Sequence, residues 1–437
     1  MSGTTSEQRR RLENLEAPAL VEHQLSRLNH MLREVLPHNH FYREKLSADI
    51  SESRLHDARG PLRSLDELAA LPYTFKDELA STGPEQYAAN HTFPISRYVR
   101  FHQTSGTRGR PLAVLDTAED WEWWMDCWQF ILDAADIQPA DCVLLAFSFG
   151  PFVGFWSACD AAIARGCLVV PGGGMSTLAR IDLLRTSRAT AMFCTPSYAL
   201  RMAEVAAEHN IDVGTLGVLR IVVAGEPGGS VPNVRKRIEE TWKAKVLDHA
   251  GASEIGPWGY GDAAGRGLYV LESEFIAEFL SVQTGGPAAE GELSELVLTS
   301  LGRIGSPVIR YRTGDLVRPV WQHEGATRFV LLEGGILARA DQMMTIRGVN
   351  IFPTSVEQIL RSFPEIVEYQ MIVRKQASMD HLVVQIEDRL EQPKRVAEEL
   401  QMRLGLKVEV VCAELGSLPR YEGKGKRFID ERDTPAT

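Results

Sequence analysis

Hydrophobic residues in the middle of the chain follow two alternating spacings. Trp121, Trp124 and Trp128 fall in the i, i+3, i+7 order that predicts an amphipathic helix. From position 141 onward, short apolar runs that predict strands alternate with stretches that predict helices. The predicted strands are 143–147, 167–170, 191–194 and 219–223, and the predicted helices are 155–165, 181–188 and 198–209. Such alternation is typical of a parallel, doubly wound sheet.

The chain has a different pattern on either side of this region. Residues 1 to about 48 are polar with leucines at helical spacing, which predicts helices packed on a larger body. After Asp262, segments bounded by glycine and proline predict antiparallel strands at 268–271, 275–280, 293–298 and 308–311. Beyond Arg339, the order strand, helix, strand, strand, helix, strand predicts a small α+β domain.

These patterns together predict an α/β protein with two domains. We expect a large N-terminal domain, residues 1–338, with doubly wound sheets and a small β-barrel-like part. A hinge at 339–341 then leads to a small, mobile α+β C-terminal domain, residues 342–437.

Composition narrows the function classes. The 437 residues contain 47 Lys and Arg against 58 Asp and Glu, a net charge of −11, which disfavours a nucleic-acid partner. Six cysteines without any CxxC pair disfavour a disulfide scaffold or structural zinc and indicate a reducing, cytoplasmic location. The uncharged stretch 142–159 contains Gly150, Pro151 and Gly154, so a strand, turn and helix explain it better than a membrane span. We expect no membrane association.

Two segments could bind parts of a nucleotide. Residues 102–111 (His-Gln-Thr-Ser-Gly-Thr-Arg-Gly-Arg-Pro) form a glycine-rich run whose backbone N–H groups and hydroxyls could surround a polyphosphate. The run lacks the Gly-Lys-Ser/Thr of the Walker pattern, and a surface turn is the plain alternative. Residues 311–315 (Tyr-Arg-Thr-Gly-Asp) place an Asp where it could accept hydrogen bonds from ribose hydroxyls, although a hairpin turn would look the same.

Two further segments lie near the C-terminus. The first is 338–341 (Ala-Arg-Ala-Asp), followed by 343–353. The second is 420–427 (Arg-Tyr-Glu-Gly-Lys-Gly-Lys-Arg), a basic run that could bind an anion or be an ordinary basic tail. In this order and spacing, the four segments resemble the adenylate-forming superfamily of acyl-CoA synthetases, adenylation domains and luciferases. The chain is most similar to phenylacetate–CoA ligases and related aryl–CoA ligases, from Ser64 to Asp430.

The resemblance implies a nucleotide site. The loop that holds the β- and γ-phosphates of ATP corresponds to Thr104, Ser105, Gly106, Thr107 and Gly109. The segment that lines adenine corresponds to Gly225, Glu226 and Pro227. The next motif of the ATP site corresponds to Asp248, His249, Ala250, Gly251 and Ser253, followed by the Mg²⁺ ligand Glu254. We assign no catalytic role to His249, because a lone histidine is more often structural. Ala250 stands where the family usually has an aromatic residue on adenine.

The remaining implied roles concern ribose, catalysis and the thiol. Asp315 corresponds to the ribose-binding Asp and Arg339 to a second ribose or phosphate contact. Lys424 corresponds to the lysine that bridges the carboxylate and the α-phosphate. The implied catalytic residues are therefore Lys424, Glu254 and Thr107. The hinge corresponds to Asp341, and the thiol tunnel corresponds to Arg347, Gly348 and Val349.

The acid pocket of the family corresponds to segment 146–156. Its aromatic and glycine residues could form a slot that admits a flat ring, although ordinary core at a helix start is the alternative. The implied pocket residues are Phe147, Phe149, Gly150, Phe152 and Gly154, with Ala224 and Gly251. The loop contains no Lys or Arg, which disfavours a dicarboxylate.

We therefore expect an ATP-dependent aryl-acid–CoA ligase of the AMP-forming type. It would join a small aromatic carboxylic acid to CoA with ATP and Mg²⁺, as a homodimer. The alternative is a stand-alone aryl adenylation enzyme that loads the phosphopantetheine of a carrier protein. A nucleotide-binding protein without turnover is a third hypothesis, which the joint presence of Lys424, Glu254 and Asp315 disfavours.

Overall fold

The N-terminal region is helical. The computed structural model describes residues 4–80, 87–104, 111–148, 150–340, 344–346, 349–376, 379–420 and 427–432. Its first helices are α1 (Ser6–Glu13), α2 (Ala17–Val35), α3 (His40–Leu46), α4 (Glu52–Leu55), α5 (Leu65–Ala70) and α6 (Lys76–Leu79). Leu28 and Leu32 of α2 are fully buried in a core that also contains Ile276 and Leu301. The predicted packing of N-terminal helices on a larger body is confirmed.

A hairpin and a run of alternating elements follow. Strands β1 (Tyr98–Gln103) and β2 (Ala113–Thr117) pair antiparallel and lead into helix α7 (Ala118–Ala134). The alternating elements are β3 (Cys142–Leu145), α8 (Val153–Arg165), β4 (Leu168–Pro171), α9 (Thr177–Ser187), β5 (Ala191–Cys194), α10 (Pro196–Glu208), β6 (Arg220–Ala224), α11 (Pro232–Trp242) and β7 (Lys245–Ala252). The pairs β4–β3, β3–β5 and β5–β6 are parallel, as predicted, and β7, which was not among the predicted strands, pairs with β6 in parallel as well.

The parallel strands are buried on both faces because their side chains alternate. Val143 and Leu145 of β3 lie in the core that contains Trp124 of α7 and Phe155 of α8. Leu144 lies in the opposite core, with residues of α9, α10 and α11. Helices on both faces make the sheet doubly wound. Helix α9 begins four residues before the predicted position, because the Ser176 side chain caps it.

The antiparallel strands divide between two sheets. Strands β8 (Gly256–Gly261), β9 (Gly267–Val270), β13 (Pro319–Val320) and β14 (Leu331–Glu333) extend the parallel sheet, giving nine strands in the order β13-β14-β9-β8-β7-β6-β5-β3-β4. Strands β10 (Phe275–Ser281), β11 (Ser294–Ser300), β12 (Tyr311–Val317) and β15 (Ala338–Arg339) form a second sheet in the order β10-β11-β12-β15. The strand predicted at 308–311 is wrong, because β12 begins at Tyr311. Arg310 has a left-handed φ of 49°, so the chain turns there.

Residues 344–432 form a small lobe with its own core. Its elements are β16 (Met344–Ile346), β17 (Val349–Ile351), α12 (Pro353–Leu360), β18 (Ile366–Gln376), β19 (Met379–Asp388), α13 (Pro393–Leu404), β20 (Glu409–Cys412) and β21 (Phe428–Asp430). The main sheet has the order β20-β19-β18-β21. Val356 of α12 and Val396 of α13 lie in the same core as Val384 of β19. We call this part the small lobe and residues 4–340 the large lobe.

A buried ion pair joins the β1–β2 hairpin to the loop before β12. Nε of Arg303 donates to Oδ1 of Asp116 on β2 at 2.7 Å, and neither side chain is exposed to solvent. Nη1 of Arg303 also donates to the carbonyl oxygen of Ser253 at 2.8 Å. Three separate parts of the large lobe therefore depend on one guanidinium group.

We expect Arg303→Met to lower the free energy of unfolding by about 3 kcal/mol or more, because it leaves the Asp116 carboxylate buried and unpaired. Arg328→Met is the matched control, since Arg328 pairs with Glu16 at the surface, where both side chains are more than half exposed. Exposed pairs contribute little to stability. Urea unfolding followed by circular dichroism measures both variants. Equal losses would contradict a special role for the buried pair.

Candidate active site

Three of the segments singled out from the sequence lie at the carboxyl ends of the parallel strands. Strand β6 ends at Ala224, which pairs with His249 of β7, so the 225–227 segment and the 248–254 motif are neighbours. Strand β3 ends at Leu145 and leads into the 146–152 loop at the same edge. Ligands of open α/β sheets bind at this edge. Among the described residues, no helix is long and apolar enough to cross a membrane.

Glu254 is a carboxylate held by two partners from distant parts of the chain. Nζ of Lys76, at the start of α6, lies 2.9 Å from its Oε1, and the Tyr311 hydroxyl donates to the same oxygen at 3.2 Å. Burial alone would raise the pKa of Glu254, but the charge and hydrogen bond of Lys76, together with hydrogen bonds from Tyr311 and from the backbone, hold the pKa below its ordinary value. Glu254 is therefore ionised at neutral pH.

The predicted ribose residues lie side by side. Asp315 on β12 and Arg339 on β15 are directly paired across the antiparallel ladder. Nη1 of Arg339 donates to Oδ1 of Asp315 at 2.7 Å, and Asp315 is only 8% exposed. Two residues separated by 24 positions thus form one polar unit. The unit could present both a hydrogen-bond acceptor and a cation to a nucleotide.

Only one residue of the predicted phosphate loop lies within the described residues. Thr104 closes the base of the loop: its N–H donates to the carbonyl oxygen of Leu112 at 3.0 Å, and its hydroxyl accepts from the Leu112 N–H at 3.0 Å. Its side chain is thereby committed to the protein. The other predicted loop residues, Ser105, Gly106, Thr107 and Gly109, lie outside the described residues.

The segment 225–227 of the large lobe lies next to the small lobe. Gly225 has a φ of +91°, which favours glycine, and Glu226 follows it. One oxygen of Glu226 accepts from the N–H of Ser197 at 2.7 Å, and the other lies 3.8 Å from the Arg427 guanidinium of the small lobe. Arg427 also donates to both carboxylate oxygens of Glu368 on β18, at 2.7 and 3.1 Å. The Glu226 side chain therefore faces the small lobe.

The 248–254 motif contributes groups to both faces of β7. Burial raises the pKa of Asp248 to about 6, although the Ser230 hydroxyl donates to its Oδ2 at 2.5 Å. Ala250 is buried and pairs with Gly259 of β8, and Gly251 is exposed. Ser253 is partly exposed and is positioned through its carbonyl oxygen by Arg303.

The predicted acid pocket is open at the start of α8. Phe152 is 48% exposed, and the exposed Gly154 has open space where a side chain would be. Gly150 has a φ of +130°, and its carbonyl oxygen accepts from the Trp156 indole at 2.8 Å, which fixes the turn. Phe147 and Ala224 are partly buried. Phe149 lies outside the described residues.

The remaining predicted residues belong to the junction of the lobes and to the basic segment. Val349 lies on β17, where only its backbone is described. The implied hinge residue, two thiol-tunnel residues and the implied catalytic lysine lie outside the described residues; these are Asp341, Arg347, Gly348 and Lys424.

Sequence reasoning missed three residues that organise the site. Lys76 and Tyr311 hold Glu254, and Arg303 holds the preceding turn. Lys76 ends the segment 71–76 (Leu-Pro-Tyr-Thr-Phe-Lys), which lies inside the stretch from Ser64 to Asp430 that resembles the ligases. The signal in the sequence was therefore a lysine that lies inside the stretch resembling the ligases but has no role assigned by that resemblance.

Comparisons with known proteins agree with this geometry. The family model for the AMP-binding enzyme C-terminal domain matches residues 348–432. The chain is 31% identical to phenylacetate-coenzyme A ligase of Pseudomonas putida over 438 residues, with 96% of each chain covered. It is 32% identical to phenylacetate-coenzyme A ligase of Escherichia coli K12 over 441 residues, with 97% of each chain covered.

The fold matches that of 2-hydroxyisobutyryl-CoA ligase. In the postadenylation state of that enzyme, with 2-HIB-AMP bound, the TM-score is 0.89 at 26% identity, covering 98% of this chain and 94% of the other. For its thioesterification state, with 2-HIB-AMP and CoA, the TM-score is 0.72 at 27% identity and the same coverage. The two lobes of this chain are therefore placed more like those of the postadenylation state.

The fold and the site define an adenylate-forming enzyme. More particularly, the chain belongs to the phenylacetate–CoA ligase family, and it is an AMP-forming acid–CoA ligase that uses ATP, Mg²⁺ and CoA. The sequence-based predictions of the superfamily, of the α/β fold with its small C-terminal lobe and of the cosubstrates are thereby confirmed.

We expect Lys76→Met to move the acid limb of the pH–activity profile to higher pH, because the charge of Lys76 then no longer opposes the effect of burial on the pKa of Glu254. The Glu254 carboxylate would then be protonated at a higher pH, and the enzyme would lose activity at that pH. Lys45→Met is the control, since Lys45 pairs with Glu78, away from Glu254. The measurement is kcat/KM for ATP as a function of pH. An acid limb unmoved by Lys76→Met would show that Glu254 does not control the profile.

Proposed function

We propose that the acid is aromatic and that the enzyme forms an aryl-CoA in two half-reactions. The observation that carries this proposal is the loop before α8, where an exposed Phe152 lies in sequence between the open Gly154 and the turn fixed at Gly150. The family relationship supports it, since the relatives named above are phenylacetate–CoA ligases. No lysine or arginine lies in this loop, so a second carboxylate would have no counter-charge there.

In the first half-reaction, a carboxylate oxygen of the acid forms a bond to the α-phosphorus of ATP, and the bond from that phosphorus to pyrophosphate breaks. Negative charge accumulates at the α-phosphate, and cations must stabilise it. We propose Lys424 as the cation that contacts both reactants, with Thr107 and its loop on the departing phosphates. Asp315 with Arg339 would orient the ribose, and the 225–227 segment would lie against adenine.

The residues present fit a magnesium ion. Mg²⁺ is commonly held by one or two carboxylates together with substrate phosphates, and Glu254 is an ionised carboxylate at this edge of the sheet. Glu254 would hold the ion, and the ion would withdraw charge from the phosphates of ATP. Lys76 would then be released from the Glu254 carboxylate and could face the phosphates.

In the second half-reaction, the thiol sulfur forms a bond to the acyl carbon, and AMP leaves. We propose that the division into residues 1–338, a hinge at 339–341 around Asp341, and residues 342–437 serves this step. Rotation of the small lobe would exchange Lys424 for the segment Arg347, Gly348 and Val349, beside which the pantetheine arm would enter. The second candidate acceptor is a carrier-protein phosphopantetheine, because that thiol ends in the same arm as CoA.

A panel of acids tests the proposed substrate class. We expect pyrophosphate release to be faster with phenylacetates and benzoates than with octanoate, because the aromatic residues of the loop before α8 favour contact with a flat ring. The measurement is kcat/KM for each acid by a coupled pyrophosphate assay. A clear preference for octanoate would contradict an aromatic substrate. Offering CoA and a phosphopantetheinylated carrier protein in parallel then identifies the acceptor.

We expect Lys424→Ala to separate the two half-reactions. Removing the cation should slow adenylation by about a hundredfold or more, as the loss of a transition-state contact does in other enzymes. Thioester formation from supplied aryl-adenylate should stay near wild type, because Lys424 would be away from the site in that step. Lys426→Ala is the matched control. Equal loss in both steps would indicate a structural role, and unchanged adenylation would move the assignment to Lys426.

We also propose a cytoplasmic homodimer. All six cysteines are free thiols, which suits a reducing compartment. Light scattering of the purified protein measures its oligomeric state directly.

A further inference from the structure

His249 of β7 pairs with Ala224 of β6, one of the residues of the predicted acid pocket. Successive side chains of a strand point to opposite faces, and Asp248 is bonded to Ser230 on one of them. On the other face the His249 ring lies against Trp128 of α7, with ring centroids 4.5 Å apart. Helix α8, which follows the 146–152 loop, packs against this same face.

The hydrogen bond of His249 determines which ring nitrogen carries the proton. Nδ1 lies 2.9 Å from the carbonyl oxygen of Gly259 on the neighbouring strand β8. A carbonyl oxygen can only accept, so Nδ1 is the donor and carries the hydrogen. In the neutral ring, Nε2 then has a lone pair and acts as an acceptor. Burial lowers the pKa of His249 to about 4, so the ring is neutral at physiological pH.

Gly251 keeps the Nε2 edge of the ring accessible. A Cβ atom at Gly251 would lie 3.4 Å from Nε2, so any side chain at this position would cover that nitrogen. Gly251 is exposed and His249 is partly exposed. Because Gly251 has no side chain, the Nε2 acceptor of His249 stays uncovered, at the edge of the sheet where the substrates are expected.

We propose that His249 selects the acid, because its Nε2 accepts a hydrogen bond from a hydroxyl or amino substituent carried by the substrate. The inference rests on the proposed function and narrows it to aromatic acids with a hydrogen-bond donor on the ring. Trp128 would contribute a flat surface beside the substituent. An acid without the donor would bury the Nε2 lone pair unpaired, which weakens the binding of that acid.

Matched acids of similar size test this inference. Phenylacetates and benzoates carrying a hydroxyl or amino group at each ring position are compared with acids that carry a methyl group at the same position. We expect kcat/KM for the best donor acid to exceed that of its methyl counterpart by about tenfold, the factor for one neutral hydrogen bond. His249→Leu should abolish this ratio, and His249→Gln, whose amide oxygen can accept, should restore part of it.

The ratio of two acids on one enzyme preparation does not depend on how much of a variant is folded. Trp124→Phe is the control, because Trp124 lies one turn earlier on α7, against Arg303, and its loss should leave the ratio unchanged. Equal use of donor and methyl acids by the wild type, or a ratio unaffected by His249→Leu, would overturn the inference and leave the proposed function standing. Turnover of octanoate with no turnover of any aromatic acid would overturn the proposed function, and the inference with it.

Discussion

This site depends on one constraint: a buried carboxylate must stay charged beside a polyanion. Glu254 satisfies it because Lys76 lies 2.9 Å away and, together with hydrogen bonds from Tyr311 and from the backbone, outweighs the effect of burial on the pKa of Glu254. The partner comes from α6, 178 residues earlier, so the N-terminal helices are part of the active site and not an appendage. Arg303 adds to this by fixing the Ser253 carbonyl from within the core. The ionisation of Glu254 thus depends on the correct packing of three distant segments of the chain.

The sequence predicted the parts of the fold that depend on local pattern. The alternation of strands and helices from 143 to 223 follows from spacing alone, and the structure confirms it with small shifts at caps such as Ser176. The strand predicted at 308–311 failed because the left-handed backbone at Arg310 turns the chain, and no hydrophobic pattern reports that conformation. The joining of β14 to β9 in the nine-stranded sheet likewise depends on tertiary pairing, which spacing does not encode.

The candidate site shows the same division. Short motifs picked out the predicted nucleotide residues, and Asp315 with Arg339 proved to be direct neighbours. Motifs could not predict that the Glu226 side chain faces Ser197 and Arg427, since those contacts join segments far apart in the chain. Nor could they show that the ring of His249, which was predicted for the nucleotide site, lies against Trp128 of α7. Side-chain direction on a strand decides such questions, and it appears only once the register is known.

Arg427 has a consequence for the timing of the catalytic cycle. Its paired hydrogen bonds to Glu368 fasten the last residue of the basic segment to β18, the long central strand of the small lobe. In the proposed cycle, this end of the basic segment therefore turns with the small lobe, and the surrounding solvent resists that turning through friction. The rate of the rotation should then fall as the viscosity of the medium rises.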